Sequence, residues 1–217
     1  MSKSLPRPGL CIFDLDGTLV DSLHDIADAL NYCLVLLGLP RRPVEEFRYM
    51  VGEGVPTLCR RALGETHPHL APRLGELVRP VYRTQMTHRT RPYPGVGALI
   101  RRLRDDGIRL AVLSNKPHDM TIRVVATFWS DNTFDAVYGY TEERHRKPSP
   151  HYVLRICDEL RVGPADTWVI GDTPVDMAAA LAAGAVPIAV TWGYRQQADL
   201  EAAGAARVVT EPGDLLR

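Results

Sequence analysis

The chain has 217 residues, which is enough for one large domain or for a core with an insertion. Basic and acidic residues number 26 each, so the net charge is zero, which argues against a nucleic-acid-binding protein. We find no apolar run long enough to span a membrane and no signal-peptide pattern, so we expect a cytoplasmic protein. The cysteines are far apart at apolar positions, which favours buried free thiols: Cys11, Cys33, Cys59 and Cys157.

The first candidate site follows an apolar run of strand character from Leu10 to Phe13. Asp14 and Asp16 come directly after this run, and Gly17 allows a sharp turn. An Asp-x-Asp-Gly sequence is often only a turn, so this pattern alone leaves a turn and a functional site both open. Two carboxylates beyond the carboxyl end of a parallel strand suit Mg²⁺ binding and acid, base or nucleophile chemistry.

A block of helical patterns follows. Ser22 is a predicted helix N-cap with Asp25 as its reciprocal partner, and apolar residues recur at helical spacing up to Leu37. Further helices are predicted over residues 43–50, 55–64 and 70–88. The block contains no convincing strand, which predicts an inserted helical cap. The predicted domains are a cap of residues 21–88 and an α/β core of residues 1–20 and 89–217.

Strand and helix patterns alternate from residue 89 onwards. Strands are predicted over residues 108–113, 136–138, 168–170, 188–190 and 207–209. Helices are predicted after Pro94-Gly95, from His118 to about Trp129, from Pro150 at the first helical position, and up to about Ala183. Alternation of this kind predicts an α/β fold, with a Rossmann-like, mostly parallel sheet flanked by helices.

Polar residues stand at the ends of several predicted strands. Ser114 and Asp172 each follow a strand, and Lys147 lies in a loop that could also reach that sheet edge. Carboxylates, a hydroxyl and an ammonium group together suit the handling of a phosphoryl group. Taken singly, Ser114 could cap a helix and Lys147 could be a surface lysine. The joint occurrence in this order favours the functional interpretation.

Asp176 has two interpretations. Thr173 is a predicted N-cap and Pro174 follows it, so Asp176 occupies the third helical position. An acid at that position reciprocates the cap. The residue is therefore either a helix-capping acid or a part of the candidate site, and the pattern leaves both open.

The four motifs together resemble those of the haloacid dehalogenase superfamily, in its phosphatase branch with a small helical cap. The motifs are Asp14-x-Asp16-Gly-Thr-Leu, Leu113-Ser114-Asn115-Lys116, Lys147-Pro148 and Gly171-Asp172-Thr173-Pro174-Val175-Asp176. A looser resemblance to the phosphoglycolate phosphatase group rests on Asn115-Lys116-Pro117, Tyr93-Pro94-Gly95-Val96, Thr191-Trp192-Gly193-Tyr194 and the cap loop Val51-Gly52-Glu53-Gly54.

This resemblance implies a Mg²⁺-dependent phosphatase that forms an aspartyl-phosphate. Asp14 is then the nucleophile and a metal ligand, and Asp16 protonates the leaving alcohol and activates water. The backbone carbonyl of Asp16 is a further metal ligand, Asp172 binds Mg²⁺, and Lys147 neutralises charge on the nucleophile and the phosphoryl group. The phosphate- and substrate-binding residues that it implies are Ser114, Asn115, Gly17, Thr18, Gly52 and Gly54.

The implied partner is a small phosphorylated metabolite, with phosphoglycolate first, and neither nucleic acid nor a membrane. We expect a monomer or a homodimer. Glu53 would be a poor neighbour for a substrate carboxylate if it pointed inwards, and the sequence leaves its direction open. A phosphosugar mutase is the main alternative, because capped relatives share all four motifs. A dehalogenase or a non-catalytic module is less well supported, since Asp16 suits phosphoryl chemistry and the motifs are intact.

Overall fold

The computed structural model describes residues 5–215 and contains a six-stranded parallel sheet and a two-stranded antiparallel ribbon. The strands are β1 (Leu10–Phe13), β2 (Val20–Asp21), β3 (Arg91–Pro92), β4 (Arg109–Pro117), β5 (Ala136–Tyr140), β6 (Thr167–Gly171), β7 (Val186–Val190) and β8 (Arg207–Val209). The sheet order is β5-β4-β1-β6-β7-β8, so the strand order reverses around β1. The predicted mostly parallel α/β sheet is confirmed, and its candidate site lies where such sheets bind ligands.

Helices connect the strands and fill the interval between β2 and β3. They are α1 (Leu23–Leu36), α2 (Phe47–Met50), α3 (Val55–Leu63), α4 (Ala71–Gln85), α5 (Val96–Asp105), α6 (His118–Phe128), α7 (His151–Leu160), α8 (Pro174–Ala183) and α9 (Gln197–Ala202). Short 3₁₀ segments precede α2 and α4. Most predicted helices are present with ends shifted by a few residues, whereas α9 and the ribbon were not predicted. Pro150 is the N-cap of α7 and not its first helical residue.

Strand β4 is longer than predicted. The sequence predicts a strand that ends at Leu113, with Ser114 in the following loop. In the structure β4 pairs with β5 at Ser114 and again at Pro117, with an irregularity in register between them. The second motif therefore lies within the last residues of a strand, because pairing with β5 extends the ladder beyond the apolar run.

The two faces of the central strand pack against different layers. Leu10 and Ile12 belong to the cluster that contains buried residues of α7 and α8. Cys11 and Phe13 belong to a larger cluster that contains residues of α5, α6 and the helices between β2 and β3. This alternation follows from the two-residue period of a strand. The expectation of free, buried cysteines is confirmed at all four positions.

The helical block leaves and rejoins the sheet through the ribbon. Val20 pairs with Pro92 and Asp21 pairs with Arg91 in antiparallel register. This crossing lies at the two predicted domain boundaries, and the division into a core and a cap stays a prediction. Among the described residues, no helix is long and apolar enough to cross a membrane.

The predicted pairing of Ser22 with Asp25 at the start of α1 is wrong. The Ser22 hydroxyl donates to Asp16 at 2.6 Å and makes no cap hydrogen bond. The buried Asp25 carboxylate accepts from the backbone N–H of Arg89 at 3.0 Å, and from the N–H and hydroxyl of Thr90 at 2.9 and 2.7 Å. Tertiary partners across the two crossing segments therefore replace the local cap, and α1 is tied to the chain that returns to the core.

We expect Asp25→Ala to lower the free energy of unfolding by about 1.5–3 kcal/mol, because hydrogen bonds to a buried charged group are lost and their donors are left without an acceptor. Asp28 lies on the same helix and forms an exposed ion pair with Arg89. Asp28→Ala is the matched control and should cost less than about 1 kcal/mol. Urea denaturation of both variants measures the difference, and equal losses would contradict the role given to Asp25.

Candidate active site

The turn after β1 brings two acidic motifs together. The Asp14 N–H donates to Ile170 of β6 at 2.9 Å, which fixes the start of the turn at the sheet edge. Gly17 has a φ of +91°, and a Cβ built there would overlap the Asp172 carboxylate. Only glycine allows this approach of backbone to carboxylate. The glycine of the first motif thus lets the acid of the fourth motif lie close to Asp14.

Lys147 is buried at this edge of the sheet and is not a surface lysine. Its Nζ donates to Asp14 Oδ1 at 2.8 Å, to Asp176 Oδ1 at 2.6 Å and to the Leu113 carbonyl at 2.9 Å. Burial alone would lower the pKa of Lys147, but Asp14 and Asp176 raise it above its usual value. The lysine is therefore a buried ammonium with all three donors used, and it neutralises part of the acidic charge beside it.

Three buried carboxylates lie close together beside this ammonium. Oxygen atoms of Asp14, Asp172 and Asp176 all lie within 4.8 Å of one another. Burial raises the pKa of Asp14 to about 7 against the attraction of Lys147, and Asp176 adds repulsion. Burial also raises the pKa of Asp172, as do Asp14 and Asp176. The carboxylate oxygens are clustered and buried, and the one ammonium group beside them does not balance their negative charge. Such a set of oxygen ligands fits a hard divalent cation.

The structure answers the question about Asp176. Its Oδ2 accepts from the Thr173 N–H at 3.0 Å and from the Thr173 hydroxyl at 2.6 Å, and the capping box is complete. Its Oδ1 accepts from Lys147. The two sequence interpretations are therefore compatible, since one carboxylate caps α8 and faces the acidic cluster.

Asp16 lies apart from the acidic cluster. Its Oδ1 accepts from the Ser22 hydroxyl and from Lys116 Nζ, each at 2.6 Å. Burial alone would lower the pKa of Lys116, but Asp16 raises it above its usual value. The carboxylate of Asp16 is thus held next to the acidic cluster of Asp14, Asp172 and Asp176 without being part of it. Metal binding through the Asp16 carbonyl stays a prediction.

Sequence reasoning did not single out Lys116 as a site residue. The available signal was its position directly after Ser114 and Asn115 at a strand end. Nothing in the sequence shows that the Tyr82 hydroxyl of α4 would meet Lys116 Nζ at 2.8 Å.

The predicted phosphate-binding residues fall into two groups. Ser114 and Asn115 line a cavity of about 70 Å³ between the sheet edge and the helical block, as do Asp14 and Asp16. The Asn115 amide also donates to the Lys147 carbonyl at 2.9 Å and accepts from the Lys147 N–H at 2.8 Å. This amide therefore joins the loop that carries the third motif to the second.

The other group lies outside the cavity wall. Thr18 Oγ1 donates to Asp172 Oδ1 at 3.0 Å, and Gly17 lies against the same carboxylate. Both residues position Asp172 in the structure. Their contact with phosphate stays a prediction.

The cap loop, residues 51–54, is held by side chains from outside the helical block. Three successive carbonyl groups each accept a hydrogen bond. The donors are Arg195 Nη2 to Val51 at 2.8 Å, Asn115 Nδ2 to Gly52 at 2.9 Å and Arg146 Nη1 to Glu53 at 2.9 Å. Gly52 and Gly54 line the cavity, whereas the Glu53 side chain is outside its lining and pairs with Arg61. The loop thus closes one side of the cavity with backbone, and the acid between its glycines is directed elsewhere.

The model of the haloacid dehalogenase-like hydrolases matches residues 8–184, which include all four motifs. The chain belongs to this family. It is 33% identical to a phosphoglycolate phosphatase of Pseudomonas putida over 98% of this chain and 79% of that protein. It is 36% identical to a plasmid-encoded phosphoglycolate phosphatase of Cupriavidus necator over 95% of this chain and 90% of that protein.

Solved structures share the whole architecture of this family member. A predicted phosphoglycolate phosphatase from Haemophilus somnus superposes with a TM-score of 0.88 at 26% identity, covering 98% of each chain. A hydrolase from Pseudomonas syringae superposes with a TM-score of 0.77 at 26% identity, over 97% of this chain and 96% of that one. The similarity therefore includes both the sheet and the helices inserted after β2.

We expect Gly54→Ala to destabilise the protein by about 1–3 kcal/mol, because its backbone occupies a region open almost only to glycine. A Cβ there would also overlap the Arg146 guanidinium. Gly97 lies inside α5 with ordinary space around it, so Gly97→Ala is the matched control and should be neutral or stabilising by up to about 1 kcal/mol. Urea denaturation distinguishes the two, and a neutral Gly54→Ala would contradict the tight docking of the cap loop.

Proposed function

We propose that the protein is a Mg²⁺-dependent phosphatase that hydrolyses a small phosphate monoester through an aspartyl-phosphate on Asp14. The observation that carries the proposal is the ion pair of the buried Asp14 with Lys147, beside a second carboxylate that lies outside the acidic cluster. Relatives named phosphoglycolate phosphatase make 2-phosphoglycolate the first ester to test.

In the first proposed step an Asp14 oxygen attacks the phosphorus atom and the bond from phosphorus to the leaving alcohol breaks. Asp16 gives its proton to the leaving oxygen, so that a neutral alcohol departs. A carboxylate approaching a dianionic ester meets electrostatic repulsion. Lys147 lies 2.8 Å from Asp14 and reduces that repulsion, while Ser114, which lines the same cavity as Asp14, offers its hydroxyl as a donor for phosphate oxygens.

In the second step water attacks the phosphorus atom of the aspartyl-phosphate. Asp16, now a carboxylate, takes the proton of the water, and inorganic phosphate leaves as Asp14 is restored. The proton that Asp16 gave in the first step is thus regained in the second. Ser22 and Lys116 keep its carboxylate in place for both transfers, since each contacts the same oxygen at 2.6 Å.

The residues that would hold the metal are Asp14, Asp172 and the carbonyl of Asp16, with Asp176 next to them. Bound there, Mg²⁺ supplies positive charge that stabilises the phosphoryl oxygens. The fit rests on three buried carboxylates, two of which pair with the ammonium of Lys147, because such a group is costly without a further cation. Asp172 is well held for this purpose by Thr18 and by the Tyr194 N–H at 2.8 Å.

We expect Asp14→Asn to abolish phosphate release, because an amide is a far weaker nucleophile than a carboxylate. Asp16→Asn should lower kcat by roughly 10²–10⁴, the usual contribution of a positioned acid or base. Phosphate release from a panel of esters with Mg²⁺ measures both, and Asp105→Asn, at the exposed end of α5, is the control.

A wild-type enzyme that releases no phosphate from any ester would refute the proposal. Isomerisation of a hexose phosphate without net phosphate release would indicate a mutase instead. Unchanged turnover in Asp16→Asn would remove that residue from the proton transfers.

We expect Mg²⁺ at 100 times its Kd to stabilise the protein by about 2.7 kcal/mol, by preferential binding to the folded state. For a chain of this size that corresponds to a rise of roughly 5–11 °C in Tm. Asp172→Asn should lose this rise, and without metal it should be at least as stable as the wild type, because a repelling buried charge is removed. Thermal unfolding with and without Mg²⁺ tests both the loss of the Tm rise and the stability of the metal-free variant. Asp105→Asn is the control that should keep the rise.

A further inference from the structure

The cavity between the sheet edge and the helical block has a second polar part besides Asp14, Asp16, Ser114 and Asn115 at the sheet edge. Its lining on the cap side and at α6 is apolar: Ile26, Leu30, Val55, Leu58, Val78 and Met120. The second polar part is a corner formed by Lys116 Nζ and the Tyr82 hydroxyl, which are 2.8 Å apart. A volume of about 70 Å³ holds roughly five to seven water-sized groups, so the cavity suits only a small leaving group beside the phosphate.

This corner has hydrogen-bond donors left over. Lys116 Nζ donates to Asp16 and to Tyr82, which uses two of its three N–H groups. The Tyr82 oxygen accepts from the lysine, so its own O–H is still a donor. Within residues 5–215 no acceptor is found for the third N–H or for this O–H. Two donors, one of them cationic, are therefore available at a buried cavity wall.

The neighbouring arginines are engaged elsewhere. Arg195 and Arg146 donate to carbonyl groups of the cap loop, Arg48 donates to the Gly193 carbonyl at 3.1 Å, and Arg61 pairs with Glu53. None of these four guanidinium groups is in the cavity lining. Among the described residues that line it, Lys116 is the one cation. An anionic group on the leaving alcohol would therefore have to bind at the Lys116–Tyr82 corner.

We propose that Lys116 and Tyr82 bind a carboxylate carried on the carbon next to the ester oxygen, and so select 2-phosphonooxy carboxylates of the phosphoglycolate type. The inference rests on the proposed phosphatase function and adds its specificity determinants. A carboxylate takes up both remaining donors, whereas an uncharged alkyl group leaves a buried ammonium donor and a hydroxyl without an acceptor.

The distance from Lys116 Nζ to the ester oxygen determines where the substrate must carry its carboxylate. Asp16 has to lie within roughly 3 Å of the ester oxygen that it protonates. Because Lys116 Nζ is 2.6 Å from Asp16 Oδ1, it lies within about 6 Å of that oxygen. In a glycolate ester the carboxylate oxygen is roughly 3 Å from the ester oxygen by ordinary bond lengths, and a charged hydrogen bond of about 2.8 Å completes the span. A carboxylate one methylene further out overshoots this corner when extended.

The test compares two esters of the same shape with Mg²⁺ present. Isobutyl phosphate replaces the carboxylate of 2-phosphoglycolate by an uncharged isopropyl group. We expect wild-type kcat/KM to favour 2-phosphoglycolate by at least about 100-fold, because a site built to hydrogen-bond a substrate group rejects the analogue that lacks it. The ester of 3-hydroxypropionate, with its carboxylate one methylene further out, should rank below phosphoglycolate.

Two variants test whether the Lys116–Tyr82 corner causes the preference for 2-phosphoglycolate. Lys116→Met and Tyr82→Phe keep the side-chain volume and remove one donor group each. Each should lower the preference for phosphoglycolate by about 10- to 150-fold, the value of a hydrogen bond to a charged group, with the larger loss for Lys116→Met. Tyr138→Phe is the matched control, since the Tyr138 hydroxyl bonds Glu159 at an exposed site outside the cavity.

The outcomes separate the two proposals. If Lys116 only holds Asp16, its replacement slows both esters equally and the ratio stays constant, which overturns the inference. Equal wild-type turnover of both esters also overturns it and leaves the phosphatase function standing. If no ester of any kind is hydrolysed, the proposed function itself fails. Should Lys116→Met not fold, the conservative Tyr82→Phe still decides the question through the same ratio.

Discussion

The structure depends on a cluster of acidic side chains that are buried away from water. Asp14, Asp172 and Asp176 lie close together at the carboxyl edge of the sheet, where Asp14 and Asp176 pair with the buried Lys147. Carboxylates at such distances repel one another, and burial removes the water that would screen them. The surrounding hydrogen bonds hold the acids in this arrangement, and a divalent cation bound there, as proposed, would offset their charge.

The second carboxylate of the first motif is kept separate by its own partners. Ser22 and Lys116 hold Asp16 away from the acidic cluster, and Tyr194 contacts the Ser22 hydroxyl at 3.0 Å. Asp14 and Asp16 are two residues apart in the chain but have different electrostatic surroundings. This difference allows one to act as a nucleophile and the other to transfer protons in the proposed reaction.

The helical block completes the site and does not merely cover it. Its loop of residues 51–54 is fixed by three side chains from outside the block, and α4 supplies Tyr82 to the cavity. Asp25 ties the first helix of the block to the returning chain. Docking of the block therefore brings the Lys116–Tyr82 corner together, so the proposed substrate selection would depend on contacts that neither part makes alone.

The sequence by itself determined the α/β class, the order of the six strands of the main sheet and of the helices up to α8, and the family motifs, because these depend on local periodicity and on turn residues such as Gly17. It also predicted that Asp14 and Asp172 lie at one edge of the sheet, since parallel strand ends share an edge, and that the loop with Lys147 could reach it. Tertiary structure decided the partners: Asp25 binds Thr90 and not Ser22, Asp176 serves both a cap and the cluster, and Lys116 meets Tyr82. These contacts join residues distant in the chain, and no local pattern encodes them.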